Sequence, residues 1–429
     1  MLDIELFRNN LEKIIESEKK RFKDPVNAKK VLEYDIKWRE VLQKLQDLRK
    51  ERNDISAKIG ELRKKGEKQK AEVAITQSKE IKTEIEILER KRTEYFEQRE
   101  KYRYVVGNIL HDSVPVGETE ESNEIIRIVG EIPKFNFKPL SHVDLITIID
   151  GADVNKASEI VGSRFYYLKG DIVHLNLALL QFALDKLTNK NYIPMWTPFF
   201  TKHEIMKAAA ELSDFEESLY KIEGEDLYMI ATSEQTLAAY HFDEIINPES
   251  LPLKYAGISS CFRREAGSHG KDTLGIFRVH RFEKVEQFIF CKPEDSWQYH
   301  EELLANSEEI FKELRLAYRI VNVASGELND NAAKKYDLEV WFPSSETYRE
   351  LVSCSNCLDY QARKLKIRMG LVGSDQSKEI LHTLNSTAIA TARTICCILE
   401  NYQQEDHSIT IPEVLQKYMN GRKIIKPVN

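Results

Sequence analysis

The chain has 429 residues, 42% of them hydrophobic and 31% charged, which predicts a soluble protein of two or three domains with a heavily charged surface. No apolar run reaches membrane-spanning length, the greasiest stretch (172–184) being broken by His174, Asn176 and Gln181, and the acidic first residues show neither a secretory signal nor a basic presequence. A net charge of −7 excludes a generally basic nucleic-acid binder, so any RNA surface must be a local patch, and six cysteines make no disulfide framework, which fits a reducing cytosol.

Residues 1–110 are rich in Lys, Glu, Arg and Gln. An apolar stripe runs Trp38, Val41, Leu45, Leu48, Arg52, Ile55, Ile59, Leu62. A second runs Ala74, Ser78, Ile81, Ile85, Leu88, Arg92, Tyr95. Steps of alternately three and four are a heptad seam, interrupted in each half by an arginine. The polar, glycine-containing segment 63–68 separates the two, so an antiparallel helical hairpin is predicted. If it projects from a globular body, it reaches roughly 50–60 Å. Lys44, Arg49, Lys50, Lys58 and the 63–65 basic run supply phosphate-seeking charge, but acids are interleaved throughout. By itself the hairpin reads equally as an oligomerisation coiled coil or an RNA-gripping arm.

Residues 111–140 contain Pro115, Pro133 and Pro139 with little periodicity and read as a linker. Beyond them, 141–429 alternates strand-like and helix-like segments: Phe165–Leu168 as strand, Val173–Leu187 as helix, then strand-like runs at Tyr228–Ile230, Phe277–Val279 and Phe288–Phe290. Neither a Walker-type phosphate loop nor GxGxxG occurs, so an α+β fold with a mostly antiparallel sheet is predicted.

Three stretches carry the chemistry. Residues 191–200 (NYIPMWTPFF) are a helix stop followed by a proline-bounded strand. Residues 261–288 (CFRREAGSHGKDTLGIFRVHRFEKVEQF) are a strand, a loop with Gly267, Gly270 and Gly275, and a returning strand. Its arginines and glutamates alternate; the plain reading is a salt-bridged surface hairpin, while phosphate chemistry needs such fixed guanidinium forks. Residues 384–400 are a small-residue strand entering a buried helix with one awkward arginine, Arg393.

These stretches resemble motifs 1, 2 and 3 of class II aminoacyl-tRNA synthetases. The loop EAGSHGKDT and the return RVHRFEKVEQF look like the seryl-tRNA synthetase family in particular, as do Thr232-Ser233-Glu234 and the segment Tyr348–Arg363. The resemblance covers essentially the whole chain, and the sequence looks like the eukaryotic cytosolic branch. It implies an N-terminal hairpin arm (1–110) that grips tRNA(Ser), a linker (111–140), and a class II catalytic domain (141–429) whose mostly antiparallel sheet is flanked by helices. It also implies a homodimer with Pro198 at the interface, a cytoplasmic location, and L-serine and ATP as substrates with Mg²⁺.

Carried onto this chain, Arg263 clamps the α-phosphate and the serine carboxylate, and Arg278 and Arg393 hold the γ-phosphate and pyrophosphate. Glu265 accepts from the adenine amino group and Phe282 stacks on the purine. Glu350 and Ser353 hold Mg²⁺. Thr232 and Glu234 take the serine ammonium, while Glu286, Asn385 and Thr387 line the side-chain pocket. Departures from the family pattern lie at Arg281, Thr236 and the stretch 326–331. Cys354-x-x-Cys357 is a zinc half-site without partners, read as a buried thiol pair. His269 and His280 have no paired nucleophile and are read as loop and strand residues. A catalytically dead relative needs the loss of one of Arg263, Glu265, Glu350 or Arg393, and all four are present; a coiled-coil scaffold leaves residues 141–429 without a purpose.

Overall fold

Long helices with a narrow apolar seam gain their stability by burying that seam against each other. Residues 1–109 do this. The computed structural model describes residues 1–209, 219–265, 274–371 and 379–428, and divides into two units, Met1–Ile109 and Leu110–Asn429. In the first unit, short helices α1 (Ile4–Asn9) and α2 (Leu11–Lys20) precede the long pair α3 (Val26–Lys64) and α4 (Lys68–Tyr104). At 1.5 Å per residue α3 is about 58 Å long. Gly66 makes the turn with a positive φ of 74°. Leu45, Ile81, Ile85 and Leu88 are buried in the seam, with Val41, Leu48 and Ile55 against them.

Asp35 on α3 pins the base of the hairpin. Its carboxylate is fully buried and accepts from Arg8 of α1 (2.8 and 2.9 Å) and Arg99 of α4 (3.0 Å), and pairs with Arg39 at 2.9 Å. Burial alone would raise its pKa, but the bonds from Arg8 and Arg99 hold it below the usual carboxylate range. Removing the shared anion takes a partner from the buried Arg99 and from the part-exposed Arg8, so Asp35→Ala is expected to destabilise the first unit by about 3 kcal/mol. Scanning calorimetry of the full chain would read this as an earlier transition, with amino-acid activation at 25 °C unchanged. An unshifted thermogram would refute the pin.

The second unit is built on an eight-stranded sheet. Its strands in chain order are β1 (Glu124–Val129), β2 (Ile193–Trp196), β3 (Leu253–Phe262), β4 (Arg281–Cys291), β5 (Tyr318–Asn322), β6 (Lys334–Phe342), β7 (Thr347–Asn356) and β8 (His382–Ala390). They lie side by side as β1-β5-β6-β7-β8-β4-β3-β2, all antiparallel except the β2–β3 pair. The unit's principal helices are α5 (His142–Ile148), α6 (Gly170–Thr188), α7 (His203–Ala209), α8 (Glu234–Ala238), α9 (Ser296–Glu313), α10 (Tyr360–Lys364) and α11 (Thr391–Tyr402).

Alternation along β4 sorts the two faces. Val285, Ile289 and Cys291 join the main core with Leu175, Leu179, Leu303, Phe311, Ile395 and Leu399 of α6, α9 and α11. Phe288 and Phe290 face the other way, into a smaller core with Leu237 and Ala362. Glu400 of α11 bonds His142 Nδ1 (2.9 Å) and the Ser344 amide (3.1 Å), which fixes the helix that carries Arg393.

Three readings are corrected. Residues 111–140 are not merely a linker: β1 pairs with β5 at the sheet's end, and Arg127 ties to Glu308 at 2.6 Å. The prolines on either side hid a β-branched run, Ile125-Ile126-Arg127-Ile128-Val129, that favours a strand. Phe277–Val279 is not a strand. Gly275 turns the chain (φ 68°), and Ile276, Phe277 and Val279 are buried as a plug before the ladder starts at Arg281. Of Phe165–Leu168 only Tyr167–Leu168 is strand.

Candidate active site

Every second side chain of a strand shares a face. On β4 that rule puts Phe282, Lys284 and Glu286 together; on β8 it pairs Asn385 with Thr387. On β7, Ser353 and Glu350 are three apart and by count should oppose each other. Ser353 pairs with Asp337 and Glu350 with Glu339, so Leu351 is an extra, bulged residue that returns Glu350 to the face of Ser353. Chain ends complete the ring: Arg263 and Glu265 just after β3, Arg278 just before β4, Arg393 in the first turn of α11, and Thr232 and Glu234 at the start of α8. All twelve residues expected from the sequence line one cavity.

Two sets of partnered side chains line it. At one end Glu234 Oε1 accepts from Asn385 Nδ2 at 3.0 Å, and Thr387 Oγ1 donates to Glu286 Oε2 at 3.3 Å. Lys284 forms a tight buried ion pair with Glu286. Burial, then the charge of Glu286, pushes the Glu234 pKa up to about 7, against Lys284, Gln361 and Arg263. At the other end Arg263 lies over the Phe282 ring at 5.3 Å and its Nε donates to Ala231 O at 3.3 Å. The His280 ring bonds the Arg263 carbonyl at 2.8 Å, which is a scaffolding part for that histidine. Arg278 stands 3.7 Å from Glu265. Arg393 donates to the Glu350 carbonyl at 2.9 Å, lies 3.5 Å from its carboxylate, and covers Phe277 at 5.2 Å. Burial works against the Glu350 charge, but Arg393, Lys335 and Arg263 hold its pKa below the ordinary value.

The hard oxygen set of Glu350 and Ser353 suits a divalent cation. Asp337 lies beside it on the neighbouring strand: it is buried, its Oδ1 has no hydrogen-bond partner among the described residues, and Lys335 stands 3.7 Å away. Burial, opposed by Lys335 and assisted by Glu350, pushes the Asp337 pKa up to about 7.

Several lining residues escaped the sequence reading: Lys284, Lys335, Phe277, Asn329 and Asn331. Lys284 sits between Phe282 and Glu286 in the period-two pattern and was there to be found. Asn329 and Asn331 belong to the 326–331 stretch, whose entry Gly326 packs so closely on Glu118 backbone that a Cβ would lie 2.5 Å from its carbonyl oxygen. Arg281 points away from the cavity, more than half exposed, and pairs with Glu283 at 2.5 Å. Thr236 Oγ1 caps back to Ser233 O at 3.0 Å. Cys354 and Cys357 are both buried, the latter 3.7 Å from Asn385 Nδ2. Gly267, Gly270 and His269, with loop residues 266–273, lie outside the described residues.

Comparison with known proteins gives the same outline twice over. A family described as the seryl-tRNA synthetase N-terminal domain matches residues 1–110, and one described as the tRNA synthetase class II core domain (G, H, P, S and T) matches 216–402. A serine–tRNA ligase from Methanosphaera stadtmanae is 60% identical over 99% of this chain and 100% of its own length. A cytoplasmic serine–tRNA ligase from Arabidopsis thaliana is 48% identical over 100% of this chain and 98% of its own. The crystal structure of seryl-tRNA synthetase from Pyrococcus horikoshii complexed with ATP superimposes with a TM-score of 0.96 at 44% identity, covering 100% of both chains.

Proposed function

The chain belongs to the seryl-tRNA synthetase family, and on that premise we propose how its cavity carries out the family's reaction. It is a class II serine–tRNA ligase, activating L-serine with ATP and esterifying the serine onto tRNA(Ser). The observation that supports the residue assignments is the convergence of twelve side chains from separate strands, loops and helix starts on one cavity, with Glu234 and Glu286 beside Asn385 and Thr387, and Arg278 and Arg393 beside Glu265 and Glu350.

In the first step a serine carboxylate oxygen attacks the α-phosphorus of ATP, a new C–O–P bond forms, and the bond to the β-phosphate oxygen breaks to release pyrophosphate. Arg263 bridges the serine carboxylate and the α-phosphate and stabilises the charge that builds on the pentacoordinate phosphorus. Phe282, already covered on one side by Arg263, offers its other face to the purine, and Glu265 accepts from the adenine amino group. Arg278 and Arg393 take the γ-phosphate and the departing pyrophosphate. Glu350 and Ser353 would hold Mg²⁺, which supplies charge neutralisation at the phosphates when bound. Thr232 and Glu234 receive the ammonium; Glu286, Asn385 and Thr387 receive the hydroxyl. No protein nucleophile is required, since position and electrostatics carry the attack. The 3′-terminal ribose hydroxyl of the tRNA then attacks the acyl carbon and AMP leaves.

The first unit serves as the tRNA-gripping arm, and the second unit holds the chemistry. We place two such chains in a homodimer across β2: Trp196 is 77% exposed and Ile193 54% exposed on that edge strand, an apolar rim next to Pro198. A cytoplasmic site of action fits six cysteines that are all free and buried.

Two measurements follow. ATP–pyrophosphate exchange without tRNA should depend on serine and stay at background with threonine, alanine and cysteine; exchange with none of the four would overturn the assignment. The second is the pH dependence of kcat/KM for serine. An ammonium needs Glu234 as carboxylate, and Glu234 gains its proton as the pH falls through about 7. The kcat/KM for serine should therefore fall up to tenfold per unit as the pH drops below about 6. A flat profile down to about pH 5.5 would separate Glu234 from the ammonium.

A further inference from the structure

Gln361 lies on α10, 1% exposed and outside the cavity wall, yet its side chain reaches the carboxylate at the cavity's anionic end. Its Nε2 donates to Glu234 Oε1 at 2.8 Å and to Ala209 O at 3.1 Å. Its Oε1 accepts from Thr383 Oγ1 of β8 at 2.8 Å. Every hydrogen-bonding atom of the amide is thus engaged, and by three different elements. The Glu234 carboxylate and the Ala209 carbonyl, which only accept, settle which way round the amide sits: turned over, its oxygen would face both of them.

Asn385 Nδ2 donates to that same Oε1 at 3.0 Å. Two buried amides therefore saturate one oxygen of Glu234, and among the described residues no donor is recorded on Oε2. The backbone amide of Glu234 is itself held by Thr232 Oγ1 at 3.1 Å. A carboxylate free to rotate would share its charge among several directions. This one is held by Gln361 from outside the cavity and by Asn385 in its wall, with one oxygen left for a ligand cation.

We propose that Gln361 is a positioning residue for serine activation, fixing the Glu234 carboxylate so that Oε2 is presented to the substrate ammonium. The inference rests on Glu234 being the ammonium acceptor. It adds a second tier to the site: the chain Thr383–Gln361–Glu234 runs from the sheet through α10 to the substrate, and none of it beyond Glu234 need touch serine. The same bond favours the charged form of Glu234, whose other charged or titratable neighbours are Glu286 and Lys284 on β4, Arg263, and Cys357.

The test is steady-state ATP–pyrophosphate exchange with full-length Gln361→Met, which keeps length and burial but removes the donor. Hydrogen bonds to charged groups set the scale, so the KM for serine should rise roughly 10- to 100-fold while the KM for ATP stays within about twofold. The acid limb of kcat/KM for serine should also move to higher pH. A serine KM within twofold of the parent, or serine and ATP KM values rising together, would overturn the proposal. If Gln361→Met does not fold, Thr383→Val is read in the same way, because losing the hydroxyl leaves the amide oxygen without its donor and loosens the side chain; its expected rise in serine KM is smaller, and no rise counts against the proposal. Glu234→Gln run alongside separates the levels. If it leaves the serine KM unchanged, the ammonium assignment itself fails; if it raises it and Gln361→Met does not, only the positioning role fails.

Discussion

Arg263→Ala is expected to lower serine-dependent ATP–pyrophosphate exchange by about 10³-fold or more. Loss of a single preorganised donor to a developing anion costs about 10²–10³ in rate, and this guanidinium serves the α-phosphate and the serine carboxylate together. Lysine should rescue little, because a point charge cannot span two anions as a planar fork does. The arginine's placement is well supported from behind: its carbonyl takes the His280 ring, its Nε reaches Ala231 O, and its plane rests over Phe282. The matched control is Arg281→Ala. That arginine is close in sequence and pairs with Glu283, but it lies on the outer face, so exchange should change by no more than about twofold. If Arg263→Ala retains a tenth of the parent activity, the clamp has been assigned to the wrong residue.

The second large effect concerns the hairpin. Replacing residues 40–95 with a short glycine-containing turn should leave adenylate formation within about threefold of the parent while reducing aminoacylation of tRNA(Ser) by about 10²-fold or more. The cut is placed by the structure. It removes the seam of Leu45, Ile81, Ile85 and Leu88 but keeps Asp35, Arg8, Arg39 and Arg99, so the base of the first unit stays satisfied. Parallel assays of pyrophosphate exchange and tRNA charging give the answer. Undiminished charging would remove the arm from tRNA recognition, and lost exchange would make it a folding requirement instead.

The sequence disclosed most where a simple periodicity governs. The three-and-four spacing of the hairpin, the alternation of Phe282 with Glu286, and the strand-to-helix passage at Ala390–Thr391 each follow from one element's own geometry. It disclosed least where a residue's direction depends on an irregularity or a neighbour. Glu350 and Ser353 share a face only because Leu351 is bulged, a feature set by pairing with Leu338 and Glu339. The Phe277–Val279 run looked like a strand because buried plugs and strands are both apolar. Gln361 was invisible for a different reason: its importance lies wholly in partners from α7, α8 and β8, distant in sequence. Asn329 and Asn331 belong to a loop with no periodicity at all.

The pin at Asp35 has one further consequence. Beyond it, the two helices meet through a seven-residue repeat, flanked by the ion pairs Lys44–Glu84 and Arg49–Glu89 and closed by a turn at Gly66 whose Cβ position meets open space. A heptad inserted into α3 and another into α4 would preserve the seam, the turn and the pin alike, and would move the tip outward by about 10 Å. The hairpin is in this sense a ruler graduated in paired heptads. Its length can change in such steps while the base stays fixed.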